Sequence, residues 1–358
     1  MRTVRLGIVV THPIQYQVPL YRCLRRRGRI EPVVFYLTDH GIHPSFDTGY
    51  GRAIEYDIPL LGGYDYRFLR NWSVRPSVAT PFGVVNPALL SVIRQSQIDA
   101  LLVHGYSNFS VWLSFIVAAA RRIPLLLRGE SAPDGSSARP VRLAVKRTLL
   151  RPLVQHAAAC LAIGQRNHDF YLSYGADPKH VFFCPYSVDT ERFGRGGALG
   201  RADRVRRLKE LDLPPGRPVV LFAGKLQQRK RPMDVIHAVE QSQCDVNLLV
   251  IGDGPLREEI QSVAAQRPWI RVLGFVNQEE LPRWYGAADL FVLPSGRETW
   301  GLAVNEAMAA GAIPIVSSNV GCAPDLVTDD IGWVYPSGDI PALARAIAEG
   351  CLPGALIP

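Results

Sequence analysis

Short apolar runs alternate with amphipathic stretches along most of the chain. In the first half, 4–10, 31–37, 100–104, 124–127 and 159–163 are rich in Val, Ile, Leu and Phe. Such near-continuous runs mark strands covered on both faces. Between them, 17–26, 86–96, 109–121 and 166–174 carry helical spacing, with Pro87 placed for a first turn and Gly175 for a stop. The texture then changes. Residues 192–217 are rich in Gly and Arg and hold one short helical stretch, 203–211, before Pro214-Pro215-Gly216. This pattern predicts a linker over 191–200 and a helix entering a second domain.

The rhythm resumes with strands expected at 219–223, 247–251, 270–273, 290–293, 313–316 and 333–335. Helices are expected at 233–241, 256–266, 279–287, 302–310 and 341–349. Alternation of this kind predicts two doubly wound, largely parallel α/β domains, 1–195 and 196–358. In such sheets ligands bind beyond the carboxyl ends of the strands, so the chemistry belongs in the loops after strands.

Composition narrows the class. Of 358 residues, 47% are hydrophobic and 20% charged, as in a packed globular protein. No apolar run reaches the ~18 residues of a spanning helix, and 6–10 is too short for a signal-peptide core. Six scattered cysteines without a C-x-x-C pair argue against a zinc site or a disulfide framework and for a reducing cytoplasm. Charge is uneven: 1–195 holds 24 basic and 13 acidic residues, net +11, and 196–358 holds 16 and 19, net −3. No nucleic-acid module accompanies the basic half, so an anionic membrane surface or a lipid-phosphate acceptor is the expected partner, against a plain solvated surface.

Three loops carry candidate chemistry. Gly224-Lys225-Leu226-Gln227-Gln228-Arg229-Lys230 follows the strand 219–223. Gly224 lets the chain turn, and two lysines bracketing the entry to a helix form either an anion site or a charged surface loop. Gly252-Asp253-Gly254-Pro255 follows 247–251, and its glycines permit close backbone approach to a ligand. The third is Glu298-Thr299-Trp300-Gly301-Leu302-Ala303-Val304-Asn305-Glu306. N–H groups near Gly301 and Leu302 can meet a diphosphate, Glu306 can accept from ribose hydroxyls, and Glu298 can hold sugar hydroxyls beyond the phosphates. Two solvated glutamates are the competing reading, and it accounts poorly for Glu306 within an apolar helix.

In order and spacing these motifs, with Ala310-Gly311-Ala312-Ile313-Pro314, resemble the donor domain of the retaining glycosyltransferases of family four over about residues 185–345. The resemblance implies a GT-B fold: two Rossmann-like doubly wound parallel-sheet domains facing across a cleft. It implies a nucleotide diphosphate sugar as donor and a sugar, lipid-linked or small-molecule acceptor. Lys225 and Lys230 then hold the diphosphate, where the family usually has arginine first. Glu306 binds ribose, Glu298 approaches the donor sugar, and Gly274-Phe275-Val276 packs on the nucleobase. Front-face displacement with retention is the implied mechanism, with no metal and no cofactor. No Asp-x-Asp pair and no Gly-x-Gly-x-x-Gly after the first strand occur.

The first half resembles the family less closely. Thr11-His12-Pro13-Ile14-Gln15-Tyr16 resembles the opening of some bacterial members. His12, Gln15 and Tyr16 either line the acceptor side of the cleft or cap the following helix. His104, Arg128 and Glu130 end strands and are candidate catalytic residues, although His104 is equally read as a buried, hydrogen-bonded core histidine. Relatives continue beyond a helix like 341–349 with helices that cross back, whereas this sequence ends at Pro358, so either looser closure or a truncated chain is expected. A nucleotide-sugar epimerase and a non-catalytic nucleotide-sugar-binding subunit are the alternatives. Arg25-Arg26-Arg27 and the run Arg139, Arg142, Lys146, Arg147, Arg151 are the basic clusters expected to meet a membrane, peripherally at its cytoplasmic face, unless the second is a plain surface helix whose apolar side packs on the domain.

Overall fold

The computed structural model describes residues 2–133 and 140–352. The chain divides into two compact units, 1–44 with 59–186, and 45–58 with 187–358. The boundary at 186/187 falls earlier than the expected 195/196, and a 14-residue piece of the first half belongs to the second unit.

Strands before the boundary are β1 (Val4–Val10), β2 (Ile30–Tyr36), β3 (Ser45–Asp47), β4 (Arg52–Ile54), β5 (Asp65–Phe68), β6 (Ala100–His104), β7 (Leu125–Arg128), β8 (Ala159–Ala162) and β9 (Val181–Phe183). Helices are α1 (Val18–Arg27), α2 (Leu89–Gln95), α3 (Phe109–Arg121), α4 (Pro140–His156) and α5 (Gln165–Ser173). The first unit is one sheet in the order β5-β2-β1-β6-β7-β8-β9, and every pairing in it is parallel. Val9, Phe35, Val103 and Leu127 fill its core at 0–1% exposure. Strand order reverses between β1 and β6, so the loops after those two strands open side by side.

In the second unit the helices are α6 (Thr190–Glu210), α7 (Pro232–Ser242), α8 (Arg257–Ala265), α9 (Leu281–Ala287), α10 (Leu302–Ala309), α11 (Ala323–Leu326) and α12 (Ile340–Gly350). The strands are β10 (Val219–Ala223), β11 (Asn247–Ile251), β12 (Ile270–Gly274), β13 (Leu290–Leu293), β14 (Ile313–Ser317) and β15 (Trp333–Tyr335). They form a parallel sheet, β12-β11-β10-β13-β14-β15, which reverses at β10. β10, β11 and β13 are fully buried, as their unbroken apolar runs require. β3 and β4 pair antiparallel with each other, Asp47 opposite Arg52.

The expected linker 191–200 is helix instead. α6 starts at Asp189, whose side chain accepts from the Arg192 N–H, and runs through all of its glycines. Those glycines answer to packing. A Cβ on Gly197 would collide with the Ala310 backbone, and one on Gly200 with the Arg283 carbonyl. They let α6 lie almost backbone to backbone on α9 and on the end of α10, a contact that outweighs poor local helix propensity. The predicted helix 203–211 is the last part of this one element.

Candidate functional site

In the second unit the loops after β10 and β13 emerge at the sheet reversal. Gly224 follows β10 and donates its N–H to the Ile251 carbonyl; a Cβ there would meet only the Phe222 ring, at 3.7 Å. The turn therefore does not demand glycine at 224. The demand falls on Gly252 and Gly254, with φ of +142° and +146°. A Cβ on Gly252 would strike the Gly224 carbonyl, and one on Gly254 would lie 2.7 Å from the Leu226 carbonyl and 3.1 Å from that of Gly49. The close approach read from these glycines is thus to the chain's own backbone.

Lys225 Nζ donates to both carboxylate oxygens of Asp47, at 2.8 and 2.9 Å, and lies 4.8 Å from the centre of the Tyr50 ring. Lys230 closes a single 3-10 turn, Gln228–Lys230. Its ammonium donates to the Glu298 carboxylate, with both side chains 13–14% exposed. Desolvation lowers the Lys230 pKa, and the Glu298 charge opposes that shift. Arg229 reaches the same Glu298 oxygen at 3.7 Å. Glu298 is fixed by its backbone, which donates to the Asn319 carbonyl and bridges to Val320.

Gly301 precedes α10 at φ +103°, where a Cβ would lie 2.8 Å from Val320 Cγ1, so this glycine is required twice over. Leu302 opens the helix, and Glu306 follows one turn in. Glu306 is half-buried. Desolvation raises its pKa to about 7, against the lowering effects of the Tyr285 hydroxyl and the Arg192 charge. Phe275 packs edge-on against Tyr50 at 5.2 Å under the Arg52 guanidinium, and Val276 beside it is half-buried. Sequence reasoning missed Asp47, Tyr50, Arg192 and Tyr285. None sits in a motif, and only the fold brings them to Lys225 and Glu306.

The first unit gathers a separate group. Glu130, two residues past β7, accepts from Tyr16 Oη at 3.3 Å and from Tyr186 Oη. The Arg128 guanidinium lies 5.0 Å from the Tyr186 ring centre and donates to the Pro185 carbonyl at 3.2 Å. Arg128 is 4% exposed. His104 Nδ1 faces Gln17 Nε2 at 3.4 Å, and Gln17 accepts from Tyr21 Oη at 2.8 Å. The His104 Nε2 is buried without a hydrogen-bond partner. Burial first, and then the Arg128 charge, depress the His104 pKa to about 3, so the ring is neutral at physiological pH. His12 lies apart from Glu130: its Nδ1 is 3.1 Å from Thr11 Oγ1 and its ring meets that of His40 edge-on. Burial, with His40, lowers its pKa to about 4. Gln15 is half-buried beside Tyr16. Tyr186 was not anticipated; it is a lone tyrosine three residues past β9.

Among the described residues no cluster of three or more His, Cys, Asp or Glu could hold a metal, and no helix is long and apolar enough to cross a membrane. Arg139 lies outside the described residues, as does the Arg142 side chain.

The family model described as glycosyl transferases group 1 matches residues 203–350. A D-inositol 3-phosphate glycosyltransferase from Xylanimonas cellulosilytica is 34% identical over 191 residues, 51% of this chain and 45% of that protein. One from Streptomyces bingchenggensis is 29% identical over 265 residues, 67% of this chain and 56% of that protein. The chain thus spans about half the length of these relatives. Among solved structures, Anabaena HepE in complex with UDP and glucose superposes with a TM-score of 0.66 at 16% identity, over 96% of this chain and 89% of that one. A Rickettsia africae glycosyltransferase gives 0.69 at 14% identity, over 98% and 88%. Identities this low speak for the fold, GT-B with two Rossmann-like domains. Residues 203–350 match the group 1 glycosyl transferases, and the chain as a whole takes the GT-B fold of these solved structures.

Proposed function

We propose that this chain transfers a sugar, with retention, from a nucleoside diphosphate donor to an acceptor hydroxyl. One observation carries the reading: the loops at the β10 reversal bring Lys225, Lys230 and Glu298 to one end of the sheet, with Glu306 on the helix that follows. Lys225 and Lys230 would take the diphosphate charge as the bond to the sugar breaks, aided by the first N–H groups of α10 at Leu302. Glu298, already held by Lys230, would accept from hydroxyls of the donor sugar. Glu306 would accept from ribose, and Phe275 with Val276 would pack on the base. The attacking hydroxyl would approach on the face the diphosphate leaves, giving its proton to a donor phosphate oxygen. The relatives' names support glycosyl transfer, and the UDP and glucose bound to HepE support a nucleotide-sugar donor and make UDP the first nucleotide to test.

For the acceptor, a glycan or lipid-linked sugar, Tyr16, Glu130 and Tyr186 of the first unit supply hydroxyl and carboxylate groups suited to sugar hydroxyls. α4 also presents Val141, Val145 and Leu149, four residues apart and 76%, 56% and 54% exposed, beside exposed Arg147 and Arg151. Apolar side chains flanked by cations suit an anionic lipid surface at the cytoplasmic face, where a lipid-linked acceptor would lie.

The test is a thermal-shift screen of UDP, GDP, ADP and their sugars, followed by product analysis with and without EDTA. A true ligand at 100 times its Kd adds about 2.7 kcal/mol of stability. Transfer that persists in EDTA fits a clamp of lysines. Conversion of donor sugar to its epimer without acceptor would sink the transferase reading.

A further inference from the structure

The loop that carries Lys225 is touched by chain made 178 residues earlier. β3 and β4 form a hairpin whose turn is built by Asp47: its Oδ1 accepts from the N–H of Gly49 at 2.7 Å and of Tyr50 at 3.1 Å. The same carboxylate grips Lys225 through both oxygens. Gln227 Nε2 donates to the Gly49 carbonyl at 3.1 Å, and that carbonyl also faces Gly254. Tyr50 lies between Lys225 and Phe275, and Arg52 reaches Asp253 at 3.8 Å. The hairpin tip therefore touches the lysine loop, the Gly252–Gly254 turn and the Phe275 loop together.

We propose that Asp47 holds at Lys225 the place of a donor phosphate, so that a nucleoside diphosphate binds by exchanging phosphate for carboxylate and displacing the 45–58 hairpin. The inference rests on the reading of Lys225 as a diphosphate ligand. An ammonium offers three protons, and Asp47 engages Lys225 from both of its oxygens. A diphosphate brought to that ammonium would face the Asp47 charge at close range. Asp47 is ionised to meet it. Burial alone would raise its pKa, but the hydrogen bond and charge of Lys225 and the two backbone N–H groups outweigh burial and hold it low. The hairpin buries little apolar surface: its strands have three residues each, Phe46 is 65% exposed and Ile54 is buried at 6% exposure, while hydrogen bonds from Asn277 to the Glu55 carbonyl and from the Glu279 N–H to Asp57 tie down the chain just after it. A two-stranded hairpin is marginal in water, and segments with few buried apolar contacts open at low cost.

Asp47→Asn keeps the side-chain oxygen that the turn needs and removes the charge. Binding of UDP, GDP and ADP, and of the matching nucleosides, is measured by calorimetry on wild type, Asp47→Asn and Lys225→Gln. Asp47→Asn is expected to tighten the diphosphate about fivefold, as losing a partly exposed competing ion pair would, and to leave the nucleoside unchanged. Hydrogen exchange at the Gly49 and Tyr50 amides of the wild type is expected to speed up when the diphosphate is added. Unchanged or weaker binding by Asp47→Asn, or unaltered exchange, overturns the placeholder while weakened binding by Lys225→Gln leaves the site standing. Lys225→Gln binding like the wild type, or no binding of any diphosphate to either wild type or Asp47→Asn, removes the site itself.

Discussion

The phenol of Tyr285, on α9, donates to Oε2 of Glu306, on α10, at 3.1 Å. A ring 1% exposed thus supplies a neutral hydrogen bond to a carboxyl that desolvation pushes up to about 7. The fold prefers Glu306 protonated. Its stabilising share is complete below the unfolded value near 4.5 and is lost as pH rises through about 7. Glu306→Gln keeps the acceptor for Tyr285 and cannot ionise. The stability of this variant minus that of the wild type should therefore grow by a few kcal/mol between pH 5 and pH 8. Urea melts at both pH values check it, and a constant difference would show that Glu306 ionises freely.

Ribonucleotide binding should carry the same signature. A carboxylate accepts from two ribose hydroxyls better than a carboxyl does. Affinity for a nucleoside diphosphate should rise between pH 6 and pH 8, and the 2′,3′-dideoxy analogue should lack that rise. Parallel profiles for the two ligands would place ribose elsewhere.

Lys230 and Glu298 should behave as one unit. Removing either leaves its partner charged at 13–14% exposure with its main counterion gone. Lys230→Ala should weaken nucleoside diphosphate binding by about 1.5–3 kcal/mol and nucleoside binding far less. Glu298→Ala should lower turnover of the intact donor. In a double-mutant cycle on stability the pair should show a coupling of at least about 0.5 kcal/mol, and additive effects would contradict the ion pair.

The packing of α6 gives a test independent of chemistry. Gly200→Ala drives a methyl into the Arg283 carbonyl, whereas Gly216→Ala meets nothing within 4 Å. Overpacking of this kind costs about 1–3 kcal/mol. Denaturant midpoints should fall for Gly200→Ala and stay within error for Gly216→Ala.

At α4 the expected outcome is sedimentation with anionic vesicles at low salt, its loss on neutral vesicles and at high salt, and its weakening in Arg147→Gln/Arg151→Gln and in Val145→Ser. Lys146 makes a poorer target, because its ammonium already lies 5.1 Å from the Phe170 ring centre and 5.5 Å from that of Tyr174. Equal sedimentation with neutral lipid would point to an apolar protein partner instead.

The strands of both sheets were legible because a strand buried on both faces needs an unbroken apolar run, and 219–223, 248–251 and 290–293 are such runs. The loops holding Lys225, Lys230 and Glu298 were legible because parallel sheets put them after strands. α6 was hidden by its glycines, which read locally as breakers. The signal that could have exposed it is the helical spacing of its buried face, Phe193, Gly197, Gly200, Arg207 and Leu208. β3 and β4 carry too few apolar residues to show a period, and no local pattern announces that Asp47 meets Lys225. Tyr186 and Tyr285 are single residues whose partners exist only once the chain has folded.

The hairpin's place in the second unit also sets a timetable for synthesis. At ~5–20 residues per second, the 178 residues between Asp47 and Lys225 take roughly 10–35 s to emerge. Throughout that interval the first unit has its own strands to assemble, with residues 45–58 looped out between β2 and β5 and nothing yet made to receive them. The second unit cannot be completed from its own contiguous stretch, 187–358, however early that stretch begins to fold. Chain expressed from residue 187 onward would leave the ribosome without Asp47, and Lys225 would then need a counterion from solution.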